Sequence, residues 1–312
     1  MGINFKLNKR GIIFTTLVVL ILFLFVISLT FYSVIKERKA IRDRIETMNA
    51  FIPSLEKDMG RQLYISSYRS LLSIESYIGE TGNFVTSAEN SIGEALLNGT
   101  INNLTMGLME GYKLSEWQSR VSELGNKVNT YINYSVINVT VAHSDPWHIL
   151  IKMRINITIE DKGNVSKWQK IEIIKTNLKI EGFEDPLYLI ETNGLISNKV
   201  LRTPYSSFVI GSDLTNLSLH VNNSYYISSP AGPSFLDRLE GKTSASTNGV
   251  ESLVNLAKLS SQGIATSDKS IVDFIYFSSS NPTACNVIPA GMPSWFKLDE
   301  NHLATYEVDC SS

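Results

Sequence analysis

Motifs for catalysis or phosphate binding are nearly absent from the chain. The segment LEGKTS, residues 239–244, resembles the end of a phosphate-binding loop, but Leu236 stands where the motif G-x-x-x-x-G-K-[ST] requires glycine. The sequence has neither the G-x-S-x-G turn of a serine nucleophile nor the H-E-x-x-H pair of a zinc protease. The histidines also lack the i, i+4 spacing of a helical metal site: His143, His148, His220 and His302. We therefore expect no enzyme activity, no cofactor and no metal site.

Asparagines in N-x-[ST] triplets are the residues whose chemistry the sequence favours most. All eight such acceptors for N-linked glycans follow the apolar N-terminal segment: Asn98, Asn103, Asn133, Asn138, Asn156, Asn164, Asn216 and Asn222. Asn138 and Asn156 occupy polar positions of alternating segments, and Asn164 falls in a turn, so glycans there would cost no core packing. The alternative is an asparagine-rich surface without glycans.

Two cysteines, Cys285 and Cys310, are the only thiols of the chain. They lack C-x-x-C spacing and a nearby histidine cluster, which makes a zinc site the poorer interpretation. In an oxidising compartment two such thiols usually pair, and this pair would close a loop of 24 residues. The sequence predicts a disulfide; two buried free thiols are the alternative.

A run without charged residues, 12–35, precedes all of these groups. About 20 apolar residues suffice for a helix to cross a bilayer, whereas the apolar part of a cleaved signal is about 7–15 residues long. The run lacks the polar face of a soluble helix, so we predict a transmembrane helix. Basic residues flank both ends and leave the orientation open. The acceptors and the thiols favour a cytoplasmic N-terminus, with the bulk of the chain outside the cell membrane.

The segment 36–79 continues this helix without a turn signal. Apolar residues recur at alternating spacings of four and three and form a heptad stripe: Ile41, Ile45, Met48, Ile52, Leu55 and Met59. Pro53 predicts a kink near residues 49–53, because proline cannot donate to the carbonyl of Asn49. The stripe fits packing against the protein's own head, which periodicity alone favours, or association with helices of neighbouring copies.

The whole pattern predicts an α+β protein: a transmembrane helix continuing as a long, kinked amphipathic helix, then an antiparallel-sheet ectodomain with short helices. We divide the chain into a tail or leader (1–11), the transmembrane helix (12–35), a helical stalk (36–79), an α+β ectodomain (80–228), a linker rich in Ser, Gly, Pro and Thr (229–249) and a small C-terminal α/β module (250–312).

Strand assignments within this plan follow from alternation. Three strands between residues 135 and 181 form a meander, with a bulge where the apolar phase slips between Ile173 and Ile174. A turn followed by an edge strand is predicted within GFEDPLYLI (182–190), another strand over IVDFIYFSS (271–279), and a short helix capped by Asp299 near the end.

Composition limits the partners. A chain with 43% hydrophobic residues can bury a core. Its net charge of -2 excludes the extended basic surface that nucleic acids require. Membrane lipid is the partner that the sequence predicts.

The first 60 residues resemble a type IV pilin-like protein, of the minor-pilin kind. The resemblance rests on Lys9-Arg10-Gly11, the apolar helix, its amphipathic continuation with a proline, and the C-terminal cysteine pair. In that family a peptidase cuts after the glycine and the helices bundle as a filament core. The resemblance implies cleavage after Gly11 and self-association, or association with pilin-like subunits, through residues 12–59. Thr16 stands where pilins commonly have glutamate.

The ectodomain is similar to single-pass archaeal surface proteins, a similarity that implies no activity. Two functions follow. The first is a pilin-like component of a surface filament. The second is a stand-alone surface glycoprotein or sensor that binds a ligand or partner; an anchored enzyme is third. A mature N-terminus at Ile12 favours the first, and one at Met1 or Gly2 the second.

Overall fold

A computed structural model describes residues 9–287 and 292–310, so most of the predicted tail, residues 1–8, lies outside the described residues. Its first element is α1, Lys9–Thr81, one helix of 73 residues. At 1.5 Å per residue the helix is about 110 Å long. The long N-terminal helix predicted from residues 12–79 is therefore present as a single element.

α1 continues through Pro53. An i, i+4 ion pair between Arg42 and Glu46, 2.8 Å apart, supports the turn before it. The helix ends where Gly82 adopts φ +65° and donates its N–H to the Ile78 carbonyl at 2.9 Å, the left-handed cap that glycine provides. A kink at Pro53 stays a prediction.

Short elements connect α1 to a three-stranded sheet. They are α2 (Ala88–Asn98), β1 (Thr100–Ile101), β2 (Leu104–Thr105), a 3₁₀ turn (Gly107–Met109) and α3 (Leu114–Lys127). α2 begins because the Ser87 side chain accepts from the N–H of Asn90, and it ends at Gly99, whose φ is +73°. The sheet consists of β3 (Thr130–Asp145), β4 (His148–Asp161) and β5 (Lys167–Lys179) in antiparallel order β3-β4-β5.

The meander confirms the predicted antiparallel sheet but moves its bulge. Pairing of β4 with β5 runs without a shift past Ile173 and Ile174, so the bulge predicted there is wrong. Ile173 simply faces out at 52% exposure while Ile174 is buried. The register shifts instead in β3 between Val136 and Asn138, which leaves Ile137 49% exposed. This extra residue lets Val136 and the strand beyond it keep facing the core.

The remaining elements are short. They are α4 (Pro186–Glu191), α5 (Thr215–Asn222), β6 (Tyr226–Ser228), α6 (Phe235–Leu239), β7 (Val250–Ser252), α7 (Leu256–Ser261), α8 (Asp273–Tyr276), β8 (Ala284–Asn286), β9 (Lys297–Asp299) and α9 (Glu300–Leu303). β6 pairs with β7 and β8 with β9, both antiparallel. The cap by Asp299 is confirmed, since its side chain accepts from the N–H of Asn301.

Two of the predicted strands are helices. In GFEDPLYLI, Asp185 accepts from the N–H of Leu187 at 2.9 Å and Pro186 takes the first helical position, which starts α4. In IVDFIYFSS, residues 273–276 form one buried turn of helix. The predicted linker, 229–249, contains α6, in which Phe235 and Leu239 are fully buried.

The apolar side chains form two clusters. The first joins the second half of α1 to α2, α3 and the inner face of the sheet, where Ile149, Ile151, Ile155, Ile157 and Ile159 are all 0–1% exposed. The second joins α4, α5, α7 and α8 to the C-terminal segment. β4 contributes the alternating isoleucines that the sequence pattern predicted, and they belong to the same buried cluster as the second half of α1.

Candidate functional sites

The first third of α1 has almost no intramolecular contact. Its apolar side chains are 39–68% exposed from Ile13 to Ile35, apart from half-buried Ile27. Within the described residues it is the one helix long and apolar enough to cross a membrane. An apolar helix left bare over this length requires a bilayer or other helices around it. The segment is compatible with a single-pass anchor.

The heptad stripe divides into two parts. Met48, Leu55 and Met59 are 9%, 5% and 1% exposed and belong to the first core cluster, with Ile52 packed against it. Ile41 and Ile45 are half-buried and lie outside this cluster. The part of the stripe from Met48 to Met59 therefore packs within the protein's own core, the alternative that periodicity alone favoured. Association between copies stays a prediction, and Ile41 and Ile45 are the stripe residues open to it.

Six of the eight glycan acceptors are exposed, and Asn156 and Asn216 are half-buried. Asn133, Asn138 and Asn156 share the outer face of the sheet, because residues paired across strands lie on one face and their partners are not buried: Thr158, Arg154 and Ser135. Asn216 differs, since its side-chain nitrogen donates to the Ser207 carbonyl at 3.0 Å. That nitrogen is the atom a glycan would occupy, so the structure makes Asn216 the least suitable acceptor.

Cys285 and Cys310 form a disulfide, with Cα atoms 5.6 Å apart. Cys285 lies in β8 opposite Leu298, and Val287 bridges to Cys310, so the bond closes a small strand assembly at the end of the chain. The predicted pairing is present. Its role is to hold the C-terminal segment against the second core cluster, where Val287, Leu298 and Val308 are buried.

A buried ionic network, which the sequence reading missed, surrounds β7. The Arg238 guanidinium is 2.6 Å from Asp185 and 2.9 Å from Asp273, and all three side chains are fully buried. Arg238 also donates to the carbonyl of Val250. Ser252 donates both its N–H and its hydroxyl to Asp273, at 3.1 and 2.8 Å. One arginine thereby links α4, α6, β7 and α8.

Glu251 lies in β7 between Val250 and Ser252 and contacts a second group of buried charged residues. Its Oε2 is 3.3 Å from His302 Nε2, and Nδ1 of the same histidine is 2.8 Å from Asp299. Burial lowers the pKa of His302, but the bonds to Asp299 and Glu251 outweigh it and raise that pKa to about 10. His302 is therefore a buried cation at neutral pH.

Two raised pKa values predict that the protein loses stability as pH rises. His302 moves from 6.5 to about 10, so its contribution is complete below pH 6.5 and is lost toward pH 10. Burial raises the pKa of Glu75 on α1 from 4.5 to about 8, so its contribution is lost between those values. Burial lowers the pKa of His220 to about 3, which gives the opposite slope below pH 6.5, so we expect urea-unfolding free energies to fall with rising pH above about 6.5. His302→Gln should flatten the upper window and Glu75→Gln the lower; unchanged slopes would contradict the assignment.

The network does not have the access that catalysis requires. The Asp299–His302 pair resembles the Asp–His part of a catalytic triad. The Nε2 atom of His302, however, faces the Glu251 carboxylate and not a hydroxyl nucleophile. His302 is 4% exposed, and Glu251 and Asp299 are 0–1% exposed, so a substrate cannot reach them. In the described part of the chain, no three His, Cys, Asp or Glu side chains converge as metal ligands. The arrangement stabilises the fold.

Comparison with protein-family models, with curated proteins and with solved structures finds no match.

Proposed function

We propose that the chain is a single-pass membrane protein with an extracytoplasmic head, and that its protruding helix assembles with copies of itself or with pilin-like subunits. The single observation that supports this is the bare apolar part of α1, continuous with a helix that is packed into the head. Residues 13–35 match a bilayer core of about 30 Å. We further propose that the head binds rather than transforms its partners, without enzyme activity.

The charged part of α1 separates the head from the membrane. Residues 36–47 precede the first buried core residue, Met48, and at 1.5 Å per residue they extend about 18 Å. Ile41 and Ile45 are the apolar residues of this interval, among exposed charges such as Arg38 and Arg42. A second helix would pack there, because the stripe would otherwise face water.

Charged side chains in place of Ile41 and Ile45 should disrupt assembly. We expect Ile41→Glu with Ile45→Glu to reduce cross-linked multimers in membranes by about tenfold, the equivalent of 1.4 kcal/mol. Ala40→Glu, on another face of the same turn, is the control and should leave multimers unchanged. Equal multimer yields from all variants would argue against the filament function. A separate test is mass spectrometry of the mature N-terminus, which should find Ile12 if the filament function holds and the leader is cut as in pilins.

The second candidate function is a stand-alone surface glycoprotein or sensor. It is favoured by a groove at the end of the three-stranded sheet farthest from the anchor. Exposed acceptors on the outer sheet face, among them Asn133 and Asn138, fit glycans on such a surface. Glycopeptide mapping should find glycans at these positions before Asn216; occupancy of Asn216 alone would contradict the proposal.

A further inference from the structure

A groove lies at the membrane-distal end of the three-stranded sheet. α1 and β5 run side by side: Met48 lies 3.5 Å from Ser166, and Glu56 lies 3.3 Å from Lys170. Moving away from the membrane along α1 therefore means moving along β5 toward residue 179. The turn between β3 and β4, which contains Trp147, is at this far end, where the N–H of Ile180 donates to the Trp147 carbonyl at 2.9 Å.

Three chain segments build the walls. Trp147 comes from the turn, and the segment 202–206 is tied to β6 by the Thr203 N–H, which donates to the Tyr226 carbonyl at 2.9 Å. The cavity measures about 450 Å³. That volume falls within the range of about 300–1,000 Å³ typical of small-molecule sites. Its lining includes Trp147, Arg202, Tyr205, Ser206 and Ser228.

Arg202 is the charged residue of this lining, and no carboxylate lines the cavity with it. Its guanidinium carbon is 5.3 Å from the centre of the Trp147 ring. Within the described residues Arg202 has no ion pair; other exposed cations such as Lys152 and Arg154 also have none, but they do not line this cavity. A cation held over an aromatic ring, unpaired and exposed inside a cavity, is placed to receive an anion.

The uncharged part of the lining suits a hydroxylated ring. Tyr205 is half-buried and supported by Tyr225, with ring centres 6.2 Å apart. Ser206 and Ser228 are exposed and place hydroxyls on the same cavity. Aromatic surface with a few polar groups around it is the usual make-up of a site that orients a small ligand.

We propose that this groove binds a carboxylate-bearing saccharide. The guanidinium of Arg202 pairs with the carboxylate in the two-bond geometry that arginine favours. Tyr205 packs against the sugar ring, and Ser206 and Ser228 bond its hydroxyls. The inference gives a ligand class to the second candidate function and rests on it.

Calorimetry on the full chain in lipid nanodiscs tests this site with a galacturonate trimer as probe. The expected result is binding that weakens at least tenfold in Arg202→Gln and stays unchanged in Lys199→Gln, an exposed cation outside the groove. A neutral galactose trimer should bind more weakly than the acidic one. Both variants change exposed residues, and unchanged thermal midpoints would verify that they fold.

The proposal would be overturned by an absence of binding of the acidic trimer, by equal affinity for the neutral one, or by equal affinity for acetate, which would indicate an anion site without a sugar. Equal binding to Arg202→Gln would do the same. None of these depends on membrane orientation, so the groove can fail while the anchored topology stands, and the topology can fail while the groove binds.

Discussion

Arg238→Met should lower the free energy of unfolding by about 3–5 kcal/mol, the range for breaking a buried ion pair by removing one partner. The variant keeps most of the side-chain volume but leaves Asp185 and Asp273 buried without their cation. It also removes a donor from the Val250 carbonyl. Equilibrium urea denaturation of the full chain in detergent, followed by tryptophan fluorescence, measures the loss.

Charge rather than packing should explain most of that loss. Lys242→Met, four residues along the chain, removes an exposed cation from Glu240 and should change little. Adding Asp185→Asn and Asp273→Asn to Arg238→Met should restore part of the stability, because neutral amides are cheaper to bury than unpaired carboxylates. If Arg238→Met proved no more harmful than Lys242→Met, the network would not hold the second cluster together.

Removal of the disulfide should have the next largest effect. Replacing both Cys285 and Cys310 by serine releases a closed loop of 24 residues, which the loop-length model values at about 3–4 kcal/mol. The C-terminal segment has only short elements, β8, β9 and α9, so it should open before the sheet does.

Hydrogen exchange read by mass spectrometry distinguishes local from global opening. Amides around Val287, Leu298 and Val308 should lose protection in the double-serine variant, while β3–β5 keep theirs. The oxidised wild-type chain is the control. Equal loss of protection in the sheet would mean that the bond supports the whole head, and no loss anywhere would mean that it supports nothing.

Periodic apolar patterns were the part of the fold that the sequence predicted best. The alternating isoleucines of β4 face one buried layer, as the alternation predicted. Ile173 shows the limit of this reasoning. Two adjacent apolar residues in a strand can mean a bulge, or one apolar side chain that faces solvent in a regular strand. The sequence alone does not decide whether Ile173 or Ile174 faces solvent.

Short buried segments were predicted poorly, because a segment that is buried on all sides has no periodic alternation of apolar and polar residues. IVDFIYFSS is apolar throughout, so strand and helix fit it equally, and α8 forms. In GFEDPLYLI the Asp-Pro pair was read as a turn, although the same pair also begins a helix at α4.

Arg238 had no sequence signal at all. It lies in a stretch whose Ser, Gly and Pro content is typical of linkers, and its partners Asp185 and Asp273 are 53 and 35 residues away. A buried ionic network is defined by tertiary contacts between distant residues, which composition and local spacing do not encode. The same holds for the groove, where Trp147 and Arg202 meet only after folding.

Labelling of intact cells with a membrane-impermeant maleimide tests whether the head lies outside the cytoplasm. Both native cysteines are bonded, so Thr247→Cys, at an exposed position, provides one reactive thiol in the head. We expect labelling of Thr247→Cys on intact cells and none of the wild-type chain, whose two cysteines are bonded. Labelling of Thr247→Cys only after the cells are permeabilised would contradict it.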